Sequence, residues 1–75
     1  MIRFVLVQQV PSMLRIFDAT GRLVRVLVDE SLSAGPHAAS WDGQNEGGIE
    51  VGSGIYYYKL EAGEFSEARA PVKVR

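Results

Sequence analysis

The sequence predicts an all-β fold, a small sandwich of six to seven antiparallel strands. Three observations carry this. β-Branched and aromatic residues gather in short runs. Clusters of Gly, Asp, Ser and Pro separate those runs at intervals of roughly 8–12 residues, the rhythm of sandwiches and barrels. Only Glu46 to Val51 and Ser66 to Ala70 lack strong strand propensity, and both fall short of the roughly 12–15 residues an isolated helix needs.

Six strands are read in order. The first spans Ile2 to Val7, with Ile2, Phe4 and Leu6 on one face and Arg3, Val5 and Val7 on the other, since side chains alternate along a strand. Pro11 breaks the chain. The second spans Ser12 to Phe17, with Leu14 and Ile16 inward and Arg15 outward. Asp18 to Gly21 forms a tight turn: the Asp18 carboxylate bonds to amides just ahead, and Gly21 supplies a positive φ. The third spans Arg22 to Val28. Val24 and Leu27 stand three apart there, which fits either a bulge or a short helical turn. Asp29 to Gly35 is a polar connection in which Leu32 plugs the core's edge. The fourth spans Pro36 to Trp41, with His37, Ala39 and Trp41 on one face. Asp42 to Ser53 is a glycine-rich loop. The fifth spans Gly54 to Glu61, with Tyr56, Tyr58 and Leu60 facing one way and Ile55, Tyr57 and Lys59 the other. Glu61 to Glu64 turns the chain, and the sixth strand runs from Phe65 to the end. Pro71 has no N–H to give a ladder, which puts this strand at an edge or bulges it. Trp41, Tyr56, Tyr58, Gly21 and Gly54 are the expected structural anchors.

At 75 residues with net charge -1, the chain makes a single domain over 1–75. So small a domain buries only about 60% of the surface of its unfolded chain. A hydrophobic content of 47% with 23% charged residues is that of a globular chain, not a disordered one. The cations are scattered, so no basic stripe for nucleic acid is present, and no basic amphipathic helix addresses a membrane surface. Cysteine is absent, which excludes disulfides, thiolate metal sites and cysteine nucleophiles. The apolar opening carries Arg3 and two glutamines and is too short and interrupted for a signal peptide. If the domain is exported, its signal is expected outside this sequence.

Residues suited to catalysis do not converge. His37, Ser40 and Asp42 offer a nominal Ser-His-Asp set, but His37 and Ser40 on one strand point to opposite faces, and a triad requires them to meet; a packing histidine is the stronger reading. Paired carboxylates at Asp29 and Glu30, or Glu61 and Glu64, fall in turns, where such residues collect anyway. The run Asp42 to Gly47 resembles a calcium loop only faintly, because Gln44 and Glu46 take ligand positions and no flanking helix is expected. Asp42 and Asn45 bonding to their own backbone is preferred. The glycines at 47, 48, 52 and 54 lack the helix N-terminus of a phosphate cradle. No catalytic residue, metal or cofactor is assigned. Tyr57, outward on the fifth strand, is the candidate surface aromatic for a carbohydrate or a partner. Arg69, Lys73 and Arg75, near-alternate on the last strand, are the candidate partner-recognition residues; protection of the edge against aggregation is the plainer reading of their charge.

Longer patterns add a resemblance. Ile2 to Phe4 gives Ile-x-Phe. Leu14 to Val24 gives Leu-x-Ile-aromatic-Asp-x-x-Gly-Arg-x-Val. Ala34 to His37 gives Ala-Gly-x-His, Trp41 to Gly43 gives Trp-Asp-Gly, and Gly48 to Leu60 ends in Ser-Gly-x-Tyr-x-Tyr-x-Leu. Trp-Asp-Gly followed by Ser-Gly-x-Tyr is the most specific part. Nearly the whole chain thus resembles the Ig-like domain of the flagellar hook-capping family, and the related C-terminal sorting domains of type IX secretion cargo. Pro71 departs from the pattern, at a position commonly basic or apolar.

The resemblance implies an immunoglobulin- or fibronectin-III-like sandwich without an active site. It implies an extracellular or cell-surface bacterial setting, and proteins as partners, such as secretion machinery. Independently of the resemblance, a short sandwich leaves edge strands that can add to a neighbouring subunit of the same kind. The expected function is a C-terminal accessory or sorting domain, since Arg75 ends the chain where such cargo ends. The alternatives are a scaffold or self-assembling subunit and a carbohydrate- or surface-binding module.

Overall fold

The computed structural model describes residues 2–74, and the side chains of 2–67. Six strands run in order: β1 (Ile2–Leu6), β2 (Val10–Phe17), β3 (Leu23–Leu32), β4 (Gly35–Ala39), β5 (Gly54–Ala62) and β6 (Phe65–Val74). β1 and β4 pair into one antiparallel sheet, and β3-β2-β5-β6 form the other. The fold is all-β, a two-layer sandwich.

Period-2 alternation explains the layers. Leu14 and Ile16 on β2 are wholly buried, and Tyr56 and Leu60 on β5 and Ile2 on β1 are buried with them in one core cluster. In register, Leu14 stands opposite Leu60 and Ile16 opposite Tyr58. Phe4 and Ala39 close the core from the smaller sheet, with Val24, Leu27, Val28, Trp41 and Val51 around its margin.

β3 resolves the irregular spacing at its centre. Leu14 pairs with Val28 and Arg15 with Val26; Ile16 pairs with Arg25 and Phe17 with Leu23. Leu27 and Val24 are therefore each skipped. Two bulges three residues apart turn both side chains toward the core, and the helical-turn alternative falls away.

Other expected boundaries need correction. Pro11 does not break the chain but lies inside β2, opposite Ser31. A proline is tolerated near a strand's start, and its carbonyl accepts the Gly63 N–H at 3.0 Å. Asp29 to Leu32 is not a loop but the second half of β3, laddered to Val10 through Met13. β4 stops at Ala39, so Trp41 lies past its end. The β5–β6 hairpin turns on Gly63 and Glu64 alone, with Ala62 opposite Phe65. Gly63 has φ 61, the positive value that a two-residue loop favours at its first central position.

β6 is an edge strand, and it is also bulged. Tyr56 pairs with Val72 but Tyr58 with Arg69, so Ala70 and Pro71 together oppose Tyr57.

The turn at 18–21 forms as its residues dictate. The Asp18 carboxylate accepts the Thr20 hydroxyl at 2.6 Å, the Thr20 N–H at 2.9 Å and the Arg22 N–H at 3.0 Å. Gly21 has φ 91 and donates its N–H to the Asp18 carbonyl. The Thr20 hydroxyl foremost, then the Arg22 amide, lower the Asp18 pKa below the ordinary 3.8. The folded state therefore binds this proton less readily than the unfolded chain. Its stabilising effect is complete above the ordinary value and fades as pH falls through the lowered one. Asp18→Ala is expected to melt below wild type at neutral pH, with the gap closing on acidification below about pH 4. Melting curves across that range check it; a gap unchanged in acid would show that the carboxylate's charge is irrelevant.

Candidate interaction surfaces

Among the described residues, His37, Ser40 and Asp42 do not come together, and the candidate functional features are the long loop, the outer face of the large sheet and the strand edges. The loop comes first because it holds the residues that resemble a site. Trp41 is half-buried, with its indole edge-on to Tyr56 at 5.2 Å between centroids. Its Nε1–H donates to the Gln44 carbonyl at 2.9 Å. The Tyr56 hydroxyl donates to the Gly52 carbonyl at 2.7 Å. The two aromatic rings thus bind both ends of the loop to the core.

The loop's polar atoms are used within it. Asp42 Oδ1 accepts the Gln44 N–H at 3.0 Å. Asn45 Oδ1 accepts the N–H groups of Gly47 and Ile49 at 2.9 and 3.1 Å. The Val51 N–H reaches the Gly43 carbonyl at 2.8 Å. This is the Asx-turn chemistry expected of Asp42 and Asn45. Asp42 Oδ1 and Asn45 Oδ1 thereby hold the loop's own amides.

His37 does not approach a triad. Its ring stacks on Phe4 at 5.5 Å, and Nε2 lies 2.8 Å from the Ser33 carbonyl. Asp42 lies instead 3.6 Å from the Arg25 guanidinium.

Glu46 has a task that sequence reasoning missed. Its carboxylate accepts the Val26 N–H, and its own N–H donates to the Val24 carbonyl at 3.2 Å. Arg25 Nη1 donates to the Asn45 carbonyl at 3.3 Å. The loop therefore covers the free edge of β3 at Val24 and Val26 by imitating a partner strand. Glu46→Ala should cost about 1 kcal/mol, the net worth of such a hydrogen bond, and should uncover that edge. Melting shifts with light scattering at raised concentration measure both. A variant that scatters like wild type would argue against the edge-covering role.

On the outer face of the large sheet, Tyr57 is 39% exposed and stands opposite Phe17. Arg15 lies over the Phe17 ring at 5.3 Å and opposite Lys59. Like charges directly opposed destabilise a sheet. Glu61 offsets this by pairing with Arg15 and, at 3.9 Å, with Lys59. The face is a mixed aromatic and charged surface. Of the expected anchors, Tyr56 is buried, Tyr58 and Trp41 are half-buried, and Gly21 and Gly54 sit in the turn and at the start of β5. The side chains of Arg69 and Lys73, and all of Arg75, lie outside the described residues.

At one end of the sandwich an open apolar cleft of about 610 Å³ lies between the end of β1 and the β5–β6 turn. Val5, Val7, Val10, Ala62 and Phe65 line it. Val5 is 71% exposed and Phe65 56%.

These features define a class: an immunoglobulin-like structural domain whose polar residues secure loops and edges. The chain belongs to the family of the FlgD Ig-like domain, whose model matches residues 2–65. That family is structural and non-enzymatic and is related to flagellar hook capping. No curated protein and no solved structure matches the chain.

Proposed function

We propose that the domain is a non-catalytic scaffold module on the outside of a bacterial cell, making protein–protein contacts in an assembly of the hook-cap kind. The family match over residues 2–65 carries this reading. The engagement of Asp42, Asn45, Glu46 and His37 with backbone groups supports it, because the groups that might have done chemistry hold the fold instead.

A second reading, a C-terminal address for type IX secretion, draws on β6. That strand is an edge, bulged where Ala70 and Pro71 oppose Tyr57, and such an end is easier to peel or extend. The discriminating experiment attaches the domain to the C-terminus of a signal-bearing reporter in a type IX-competent host. Deletion of residues 70–75 and Tyr57→Ala serve as comparisons. Export that depends on residues 70–75 would replace the scaffold reading with the sorting one. Export unaffected by the domain, together with capture of a protein partner from the cell surface, supports the scaffold.

A further inference from the structure

A sandwich with two open sheets has four strand edges, and each is a template for another strand unless something blocks it. Three carry an obstruction here. The loop around Glu46 occupies the first half of the β3 edge, at Val24 and Val26, and the second half is charged at Asp29 and Glu30. β6 is interrupted by the Ala70–Pro71 bulge. β4 is only five residues long and contains Pro36, which has no N–H to offer. β1 is as short as β4 but carries no proline, no bulge and, among the described residues, no covering loop. Its residues Ile2 to Leu6 pair with β4 on one side only. Among the described residues, no hydrogen bond from a loop or side chain reaches its other side. In an antiparallel ladder, every second residue turns its N–H and C=O outward, so a row of unpaired groups lines that edge.

We propose that β1 pairs antiparallel with β1 of a second copy of this chain, across a twofold axis at Phe4. This rests on the scaffold reading above and names its contact. The strand is self-complementary in that register. Phe4 meets Phe4, and Ile2 faces Leu6 of the second copy, so the inner apolar face continues from one sandwich to the next. On the outer face, Arg3 stands opposite Val5 of the second copy. Both are exposed, and no like charges are opposed. Centring the axis on Val5 instead would leave Ile2 and Arg3 without partners inside β1. The Phe4 axis alone uses all five residues of the strand. Pairing also extends the sheet beside the apolar cleft, where Val5 is otherwise 71% exposed.

Five paired residues bury less than the roughly 1,200 Å² of a stable specific interface. Association is therefore expected to be weak and to grow with protein concentration. Sedimentation velocity on the 75-residue chain over a wide concentration range reads it directly. Val5→Lys places a cation opposite Arg3 and should hold the chain monomeric at every concentration. Val5→Glu instead sets a carboxylate opposite Arg3 of the second copy, once on each side of the axis. It should keep the mass rising with concentration, the more so at low salt. Val5 is exposed, so both variants should melt close to wild type, which keeps a folding defect distinguishable. A rising mass lost in both variants would mean a hydrophobic contact and overturn the register. A rising mass lost in neither would move the contact off β1, overturning the proposal and leaving the scaffold reading intact. A wild-type chain that stays monomeric throughout would overturn self-pairing, and the scaffold reading would then rest on a different partner.

Discussion

Leu14→Ala is expected to leave the domain largely unfolded at physiological temperature. Leu14 is wholly buried at the middle of β2, between β3 and β5, opposite Val28 on one side and Leu60 on the other. Truncating a buried leucine costs about 2–5 kcal/mol, the larger values arising where surroundings cannot collapse into the space. Collapse is restricted here, because β2 is central and laddered on both sides. A single core of this size rarely supplies more than about 3–5 kcal/mol in total, so one side chain carries a large share of the margin. Denaturant titration, or the loss of near-UV signal at physiological temperature in the variant, measures the effect. Ile16→Val, at an equally buried position, should cost only about 0.5–1.5 kcal/mol and remain folded. If Leu14→Ala instead melts within a few degrees of wild type, the core is not organised around β2.

The alternation that identifies Leu14 is plain in the sequence, and so are the inward sets on β1 and β5. Composition misleads elsewhere. Asp29, Glu30 and Ser31 look like a loop because charged and hydroxyl residues are rare in buried strands. In β3 they face solvent on an edge strand, where charge is favoured, and hydrogen bonds to β2 define the strand. Pro11 looks like a terminator, but it stands near the start of β2 beside an edge partner, where a missing N–H is tolerated. By contrast, the odd three-residue spacing of Val24 and Leu27 is a true signal of bulging, because two extra residues in β3 are needed to turn both inward.

The surfaces are less legible than the core. Asp42 and Asn45 declare their turn chemistry locally, since each bonds to amides within four residues. Glu46 gives no such sign. Its carboxylate meets an amide twenty residues away on β3, and no local pattern marks a side chain that imitates a ladder. The contrast between a β3 edge covered at Val24 and Val26 and an open β1 edge likewise emerges only once topology places each strand. Alternation shows that Val5 faces outward, but not that the backbone beside it lacks a partner.

Trp41→Ala is the second large expected effect, and its size follows from where β4 ends. Had the strand continued through Trp41, the indole would be a fully enclosed plug. Because β4 stops at Ala39, Trp41 instead sits at the mouth of the long loop. The ring packs against the core, with an edge contact to Tyr56. Truncation of a buried tryptophan or phenylalanine costs about 3–5 kcal/mol; half-burial places Trp41→Ala at the lower end, about 3 kcal/mol. Two further contacts fall with it. The Gln44 carbonyl loses the Nε1–H donor, and Tyr56 loses its aromatic neighbour, a contact worth about 0.5–1.5 kcal/mol beyond burial. Trp41→Phe separates these effects. It keeps a ring against Tyr56 while removing the hydrogen bond, and should cost about 1 kcal/mol for that bond, with some added loss of packing. The loop itself offers the decisive readout. Amide exchange at Gln44 and Val51 should accelerate in Trp41→Ala more than exchange in β2, because the aromatic pair binds the loop's two ends. Uniform acceleration through the whole sheet would mean that the indole supports the core generally, and a melting point within a few degrees of wild type would deny it either role.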